Sequence, residues 1–410
     1  MRLAALSVAL LLLALPVAAQ DLSGHGGPVS ALDAGAQGVV SGGFDGRVIL
    51  WNADEGTAAR IEHFHSGNVS AVALVAGGFA SAGQDGRVAL WRAGQDGPVW
   101  ATPPGVAPVT VLASDDDTLA AGFGDGRIGR IDLADGAVTT FDAHDGRVAG
   151  LAFMADGALV SVGADLRFAR WGADDRLQAR TGLPGLPNGL ARVGDVLAVP
   201  FAEGNLQLLS SDGDMLPERF LTDRPLVAVA SAPGTVAAAA VDGSVWLLDL
   251  PFLTSRAEVP GGAGPVWALA LDEDELFAAG AQGVVRRLSV ADGRPLGATQ
   301  VADEGAGQDG SRGAEVWRAC AICHSLAPGD HSRAGPSLHG LFGRQIASVE
   351  GFAFSPALRD MAIIWTPDTL SALFEQGPEA YTPGSRMPDQ RIADPEDRAA
   401  LADYLAQFAP

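Results

Sequence analysis

The chain has 410 residues, 48% of them hydrophobic, with 53 glycines, 25 prolines, two cysteines and a formal net charge of −22 at pH 7. That is enough length for two or three turn-rich globular domains, and it is not the composition of a disordered chain. The acidity excludes a nucleic-acid binder, whose phosphate contacts need a basic surface, and an electrostatic hold on anionic lipid. A basic partner or a freely diffusing soluble life fits it.

The chain opens on Met1-Arg2, then an apolar run from Leu3 to Leu15 broken only by Ser7, then Pro16-Val17-Ala18-Ala19-Gln20. A basic start, an apolar stretch and small residues at the end make the pattern of a secretory signal, with cleavage expected after Ala19. The run is short for a membrane span, which takes about 20 apolar residues. Residues 1–19 are therefore read as a signal peptide leading to a bacterial periplasm, with no stable membrane span after cleavage.

Residues 20–301 repeat themselves. Turn pairs recur at Asp45-Gly46, Asp85-Gly86, Asp125-Gly126, Asp165-Leu166, Glu203-Gly204, Asp242-Gly243 and Gln282-Gly283, at spacings of 38 to 40 residues. Five residues after each pair stands a bulky apolar residue: Trp51, Trp91, Ile131, Trp171, Leu209, Leu248 and Leu288. Asp-Gly between short β-rich stretches is a strong hairpin signal, because glycine accepts positive φ without a steric penalty. A period near 40 built of strands and such turns predicts a β-propeller, and seven landmarks predict seven blades.

Three repeats also carry a matched set of polar residues: His25, Ser41, Asp45 and Trp51; His65, Ser81, Asp85 and Trp91; His144, Ser161, Asp165 and Trp171. On these residues the segment resembles WD-repeat proteins, where the four side chains form a hydrogen-bonded relay within the blade. The resemblance gives these histidines a structural role and makes the propeller a docking platform. The other four repeats resemble the family by spacing alone. Two segments could close the ring, Asp21-Leu22-Ser23 from one end or Pro295 to Val301 from the other.

Residues 302–312 are polar, glycine-rich and aperiodic, and read as a flexible linker. Beyond them, Cys320-Ala321-Ile322-Cys323-His324 holds both cysteines of the chain. Cys-x-x-Cys-His reads as c-type haem attachment. The same cysteines would suit a dithiol pair, a disulfide or half of a zinc site. No further cysteine exists to complete a zinc site, and the flanks lack the βαβ pattern of a dithiol fold.

Residues 313–410 resemble class I cytochromes c of the mitochondrial type. The likeness rests on Gly313, Trp317 and the Cys320–His324 motif. It continues through Gly335-Pro336-Ser337-Leu338-His339-Gly340-Leu341-Phe342-Gly343-Arg344, then Trp365, then Tyr381-Thr382-Pro383-Gly384-Ser385-Arg386-Met387, and a last helix bearing Leu401, Tyr404, Leu405 and Phe408. The resemblance implies one covalently bound haem c on Cys320 and Cys323, with His324 and Met387 as iron ligands. The thioether of Met387 follows a Pro-Gly turn, whereas Met361, Met154 and Met215 lack that context, and a thioether raises the potential of the iron. Pro336 would accept the second ring N–H of His324. Arg344, Trp365 and Ser385 would hydrogen-bond or shield the propionates. Phe354 stands where the family usually has a tyrosine, so one such contact is expected to be missing. Residues 311–410 hold 12 acidic residues and 8 arginines, a net −4, so the lysine ring by which mitochondrial-type cytochromes meet oxidases is absent.

The sequence thus predicts an all-β seven-bladed propeller followed by an all-α cytochrome c domain. The leading expectation is a periplasmic electron carrier, not an enzyme, whose propeller docks redox protein partners. An oxidoreductase with a second cofactor in the propeller, and a redox-sensing scaffold, are the alternatives.

Overall fold

The computed structural model describes residues 19–261, 264–298, 310–330, 333–352, 354–385, 387 and 390–408. Apart from Ala19, the segment read as a signal peptide lies outside the described residues, as do 302–309 of the segment read as a linker. Among the described residues no helix is long and apolar enough to cross a membrane.

Seven four-stranded antiparallel sheets follow one another along the chain. The first comprises Val29–Gly35, Gly38–Gly43, Arg47–Asn52 and Thr57–His63. Its inner strands alternate or run apolar and its outer strand is largely exposed. The cores lie between blades. One cluster joins Ala71, Ala73 and Leu90 of the second blade to Val109, Leu119 and Ile131 of the third. No sheet could bury both faces alone, so stacking into a ring is what removes this apolar surface from water.

Ring closure comes from the N-terminal side. Leu22–Ser23 pairs antiparallel with Val284–Ser289 as the outer strand of the last sheet. Leu22 is fully buried in the cluster shared by the last and first blades, with Val29, Ile49, Trp51 and Phe277. Burying such a side chain is worth roughly 1.5–3 kcal/mol. The opposite end adds a flanking contact, Gly297–Ala298 parallel to Ala19–Gln20.

The relay forms in all three blades that carry its residues. In the first, Ser41 Oγ accepts from Trp51 Nε1 at 2.8 Å and lies 2.7 Å from His25 Nε2. His25 Nδ1 sits 3.1 Å from Asp45 Oδ1, so its N–H donates to the carboxylate and Nε2 accepts from the serine. The corresponding serine contacts are 2.9 Å at Ser81 and 2.8 to 2.9 Å at Ser161. Because each hydroxyl is completely buried, its partners are obligatory.

The C-terminal domain is helical: α1 (Arg312–Ala321), α2 (Pro356–Arg359), α3 (Pro367–Gln376), α4 (Pro378–Tyr381) and α5 (Pro395–Ala406). Ser311 caps α1, which opens on the last residue of the segment read as a linker. Thr366 and Thr369 form a reciprocal capping box at α3, with Pro367 in its first turn. Helices α1 and α5 cross at Gly313, where a Cβ would fall 2.2 Å from the Ala400 carbonyl oxygen. Trp317, Leu401, Tyr404 and Leu405 fill the core beneath that crossing.

Candidate functional site: a haem cleft

The turn after α1 presents the chemistry. His324 N–H bonds the Cys320 carbonyl at 2.9 Å, which folds the histidine back beneath the two cysteines. Its Nδ1 lies 2.8 Å from the carbonyl oxygen of Pro336. A carbonyl can only accept, so Nδ1 carries the proton and Nε2 keeps its lone pair. Gly335 N–H donates to the Cys323 carbonyl at 2.7 Å, and the glycine is required: a Cβ there would lie 2.3 Å from His324 Cε1.

These residues line a single cleft in the helical domain. Cys320, Cys323, His324, Pro336, Arg344, Trp365, Ser385 and Met387 all border it. Much of the remaining wall is apolar: Leu341, Ile346, Leu358, Leu370, Leu373 and Phe374 among others. Burial pushes the His324 imidazole below its ordinary value against the pull of the Pro336 carbonyl, so it is neutral at neutral pH. Burial likewise pushes both thiols up to about 12, Cys323 with a further push from the Asp45 carboxylate. Thiols held protonated are poor dithiol-exchange nucleophiles, and the folded cleft does not suit that chemistry.

Other polar groups have specific partners. Arg344 donates to the backbone carbonyls of His339 at 3.1 Å and Ser337 at 3.0 Å, fastening the loop that carries Pro336. The N–H of Trp365 bonds the Arg344 carbonyl at 2.9 Å, and its ring is half-buried against the domain core. Ser385 Oγ accepts from the Met387 N–H at 3.1 Å, tying the methionine to the preceding turn. Met361 does not border the cleft, Met154 is buried in the propeller and Met215 is exposed on an outer strand. Phe354 stacks edge-on against Phe352 at 4.9 Å, both on the cleft wall.

The donor set fits a haem c. Two thiols for thioether bonds, a neutral imidazole with one nitrogen committed, and a thioether share one apolar cleft. The hydroxyl of Ser355, buried on the cleft wall, has no partner among the described residues and suits a polar group of a cofactor. Sequence reasoning gave no role to Ser355, or to Phe44, a propeller residue that also borders the cleft. Ser355 adjoins a position it did single out. Phe44 had a legible signal in being an aromatic residue at a turn where other blades have none.

Comparison with known proteins agrees with this geometry. A family model described as cytochrome c matches residues 310–409, and one described as WD domain, G-beta repeat matches residues 17–52. Cytochrome c2 of Blastochloris viridis is 37% identical over 103 residues, which cover 25% of this chain and 80% of that protein. Cytochrome c of Arabidopsis thaliana is 38% identical over 109 residues, 26% of this chain and 96% of that one. The crystal structure of the computationally designed Ika8 protein matches 66% of this chain and 99% of its own at a TM-score of 0.54 and 20% identity, a likeness of fold alone. Through its C-terminal domain, with a covalently bound haem c, the chain belongs to the cytochrome c family of electron-transfer proteins, joined here to a seven-bladed WD-repeat propeller.

Proposed function

We propose that the protein is exported, loses residues 1–19, and works in the periplasm as a carrier of single electrons, with the iron held between His324 and Met387. The haem supplies reversible one-electron chemistry between ferrous and ferric iron. The chain's own residues set its conditions. Pro336 fixes the tautomer that leaves Nε2 free to ligate, and Ser385 holds the loop that presents Met387. Arg344, Trp365 and Ser385 border the cleft and would hydrogen-bond or shield the propionates. The propeller is the platform on which a redox protein partner docks.

One observation carries this reading: a single cleft gathers both cysteines of the chain, a histidine with its Nδ1 already bonded, and a methionine. The test is expression of the full chain in a host that attaches haem, followed by fractionation and redox titration. A haem-staining protein of signal-free mass in the periplasmic fraction, taking up one electron per chain, is expected. A cytoplasmic product would contradict export, and a second redox-active chromophore would contradict the carrier reading and favour a propeller with chemistry of its own.

A further inference from the structure

Among the described residues that border the cleft, every one belongs to the C-terminal domain except Phe44. Phe44 opens the turn between the second and third strands of the first blade, next to Asp45 of the relay. The other six blades place Gln84, Gly124, Ala164, Ala202, Val241 and Ala281 at this position. An aromatic residue is not needed to make the turn.

The ring of Phe44 stacks on that of Trp267, with centroids 5.3 Å apart and planes 8° from parallel. Trp267 is equally out of pattern. It occupies the bulge of the last blade's first strand, where Ser30, Ser70 and Thr110 of other blades instead bond a carbonyl of the following blade. Two departures from the repeat, some 220 residues apart in sequence, therefore meet at one point on the ring, beside the cleft.

The domains touch at the same place. Ala334 N–H donates to the Gly26 carbonyl at 2.7 Å, and a Cβ on Gly27 would fall 2.6 Å from that of Ala334. Ala334 precedes the Gly335-Pro336 pair that positions His324, so this contact sets the propeller directly against the frame of the site.

Resting on the assignment of the cleft to haem, we propose that Phe44 is a haem-contacting residue supplied by the propeller. Braced by Trp267, it closes the propeller-facing side of the cleft against water and small solutes. Excluding water from a haem favours the less charged ferrous state, so the propeller tunes the potential as well as covering the cofactor.

The test uses the full-length holoprotein. Phe44→Gln installs the residue the second blade carries at this turn, and Trp267→Val the residue the sixth blade carries at its bulge, so both substitutions suit the fold. Phe44→Gln is expected to speed haem reduction by ascorbate several-fold and to lower the midpoint potential. Trp267→Val should move both readouts the same way, and Gln84→Ala at the equivalent turn should move neither. The proposal is overturned if both aromatic variants keep the wild-type rate and potential with haem attached, or if Gln84→Ala shifts them equally. Absence of haem from the unsubstituted protein would instead overturn the haem assignment itself, and this proposal with it.

Discussion

His324 donates its Nδ1–H to the carbonyl oxygen of Pro336 across 2.8 Å, and the residue between the cysteine turn and that proline has to be glycine. A methyl group on Gly335 would overlap the imidazole, since its carbon would stand 2.3 Å from Cε1. Gly335→Ala is therefore expected to displace the ring and destabilise the holoprotein by roughly 1–3 kcal/mol, the usual range for overpacking. Denaturation midpoints of the two holoproteins check this; equal midpoints and equal haem content would show that the ring has room.

Met387 is the proposed second ligand of the iron. A thioether ligand raises the potential of a haem, and replacing it with a nitrogen donor removes that effect. Met387→His is expected to bind haem still and to titrate at a clearly lower potential. An unchanged potential would mean that Met387 is not the iron ligand.

The fourth blade offers a stability test. Leu166 sits at φ +60°, where the first blade has Gly46 at +74° and the second Gly86 at +70°. A side chain with a Cβ in this left-handed region costs roughly 1–2 kcal/mol. Leu166 is 42% exposed, so little packing is lost with it. Leu166→Gly is expected to stabilise the propeller by about 1 kcal/mol in urea unfolding, net of the extra unfolded-state entropy of glycine. Destabilisation would show that the leucine packs more than its exposure suggests.

Stability against pH follows from three kinds of group: carboxyls held low, an imidazole held low and carboxyls pushed high. Burial opposes ionisation of Asp45 and Asp85, but the His25 and His65 rings and nearby backbone N–H groups outweigh it and hold both carboxyls below the ordinary range. Their contribution is complete above the unfolded value of about 3.9 and is lost as pH falls through the lower folded values. Burial lowers His144 against the pull of Asp165, so its contribution is complete above about 6.5 and declines below it. Asp33 is pushed up to about 6 by burial, against bonds from the Leu74 and Ala34 N–H groups. Burial raises Asp21 too, against the Arg287 N–H. These two act in the opposite sense, contributing most at low pH and least above their folded values. Between pH 6.5 and 4 the effects oppose one another and melting temperature should change little, then fall steeply below about pH 4. A steep loss already complete by pH 5 would contradict these assignments.

What the sequence made legible was whatever repeats or whatever is local. The spacing of Asp-Gly turns located the blades because each hairpin meets the same steric demand. The gaps between His25, Ser41, Asp45 and Trp51 located the relay because its geometry is fixed by the strands that carry it. Blades without the full relay stand on packing, and in the fifth a buried Gln207 bonds the Leu208 and Leu216 carbonyls in its own way. The closing strand was not legible, because Leu22–Ser23 is too short to carry a period and a second segment competed for the place. Phe44 entered the haem cleft unannounced because contacts between domains leave no periodic trace; its meaning appears only when the blades are compared position by position.

The most direct measurement is the mass of the exported protein matured in a host that attaches haem, intact and after proteolysis. One haem per chain is expected, carried on the peptide that contains Cys320 and Cys323. Two free thiols on that peptide and an unmodified polypeptide mass would contradict it.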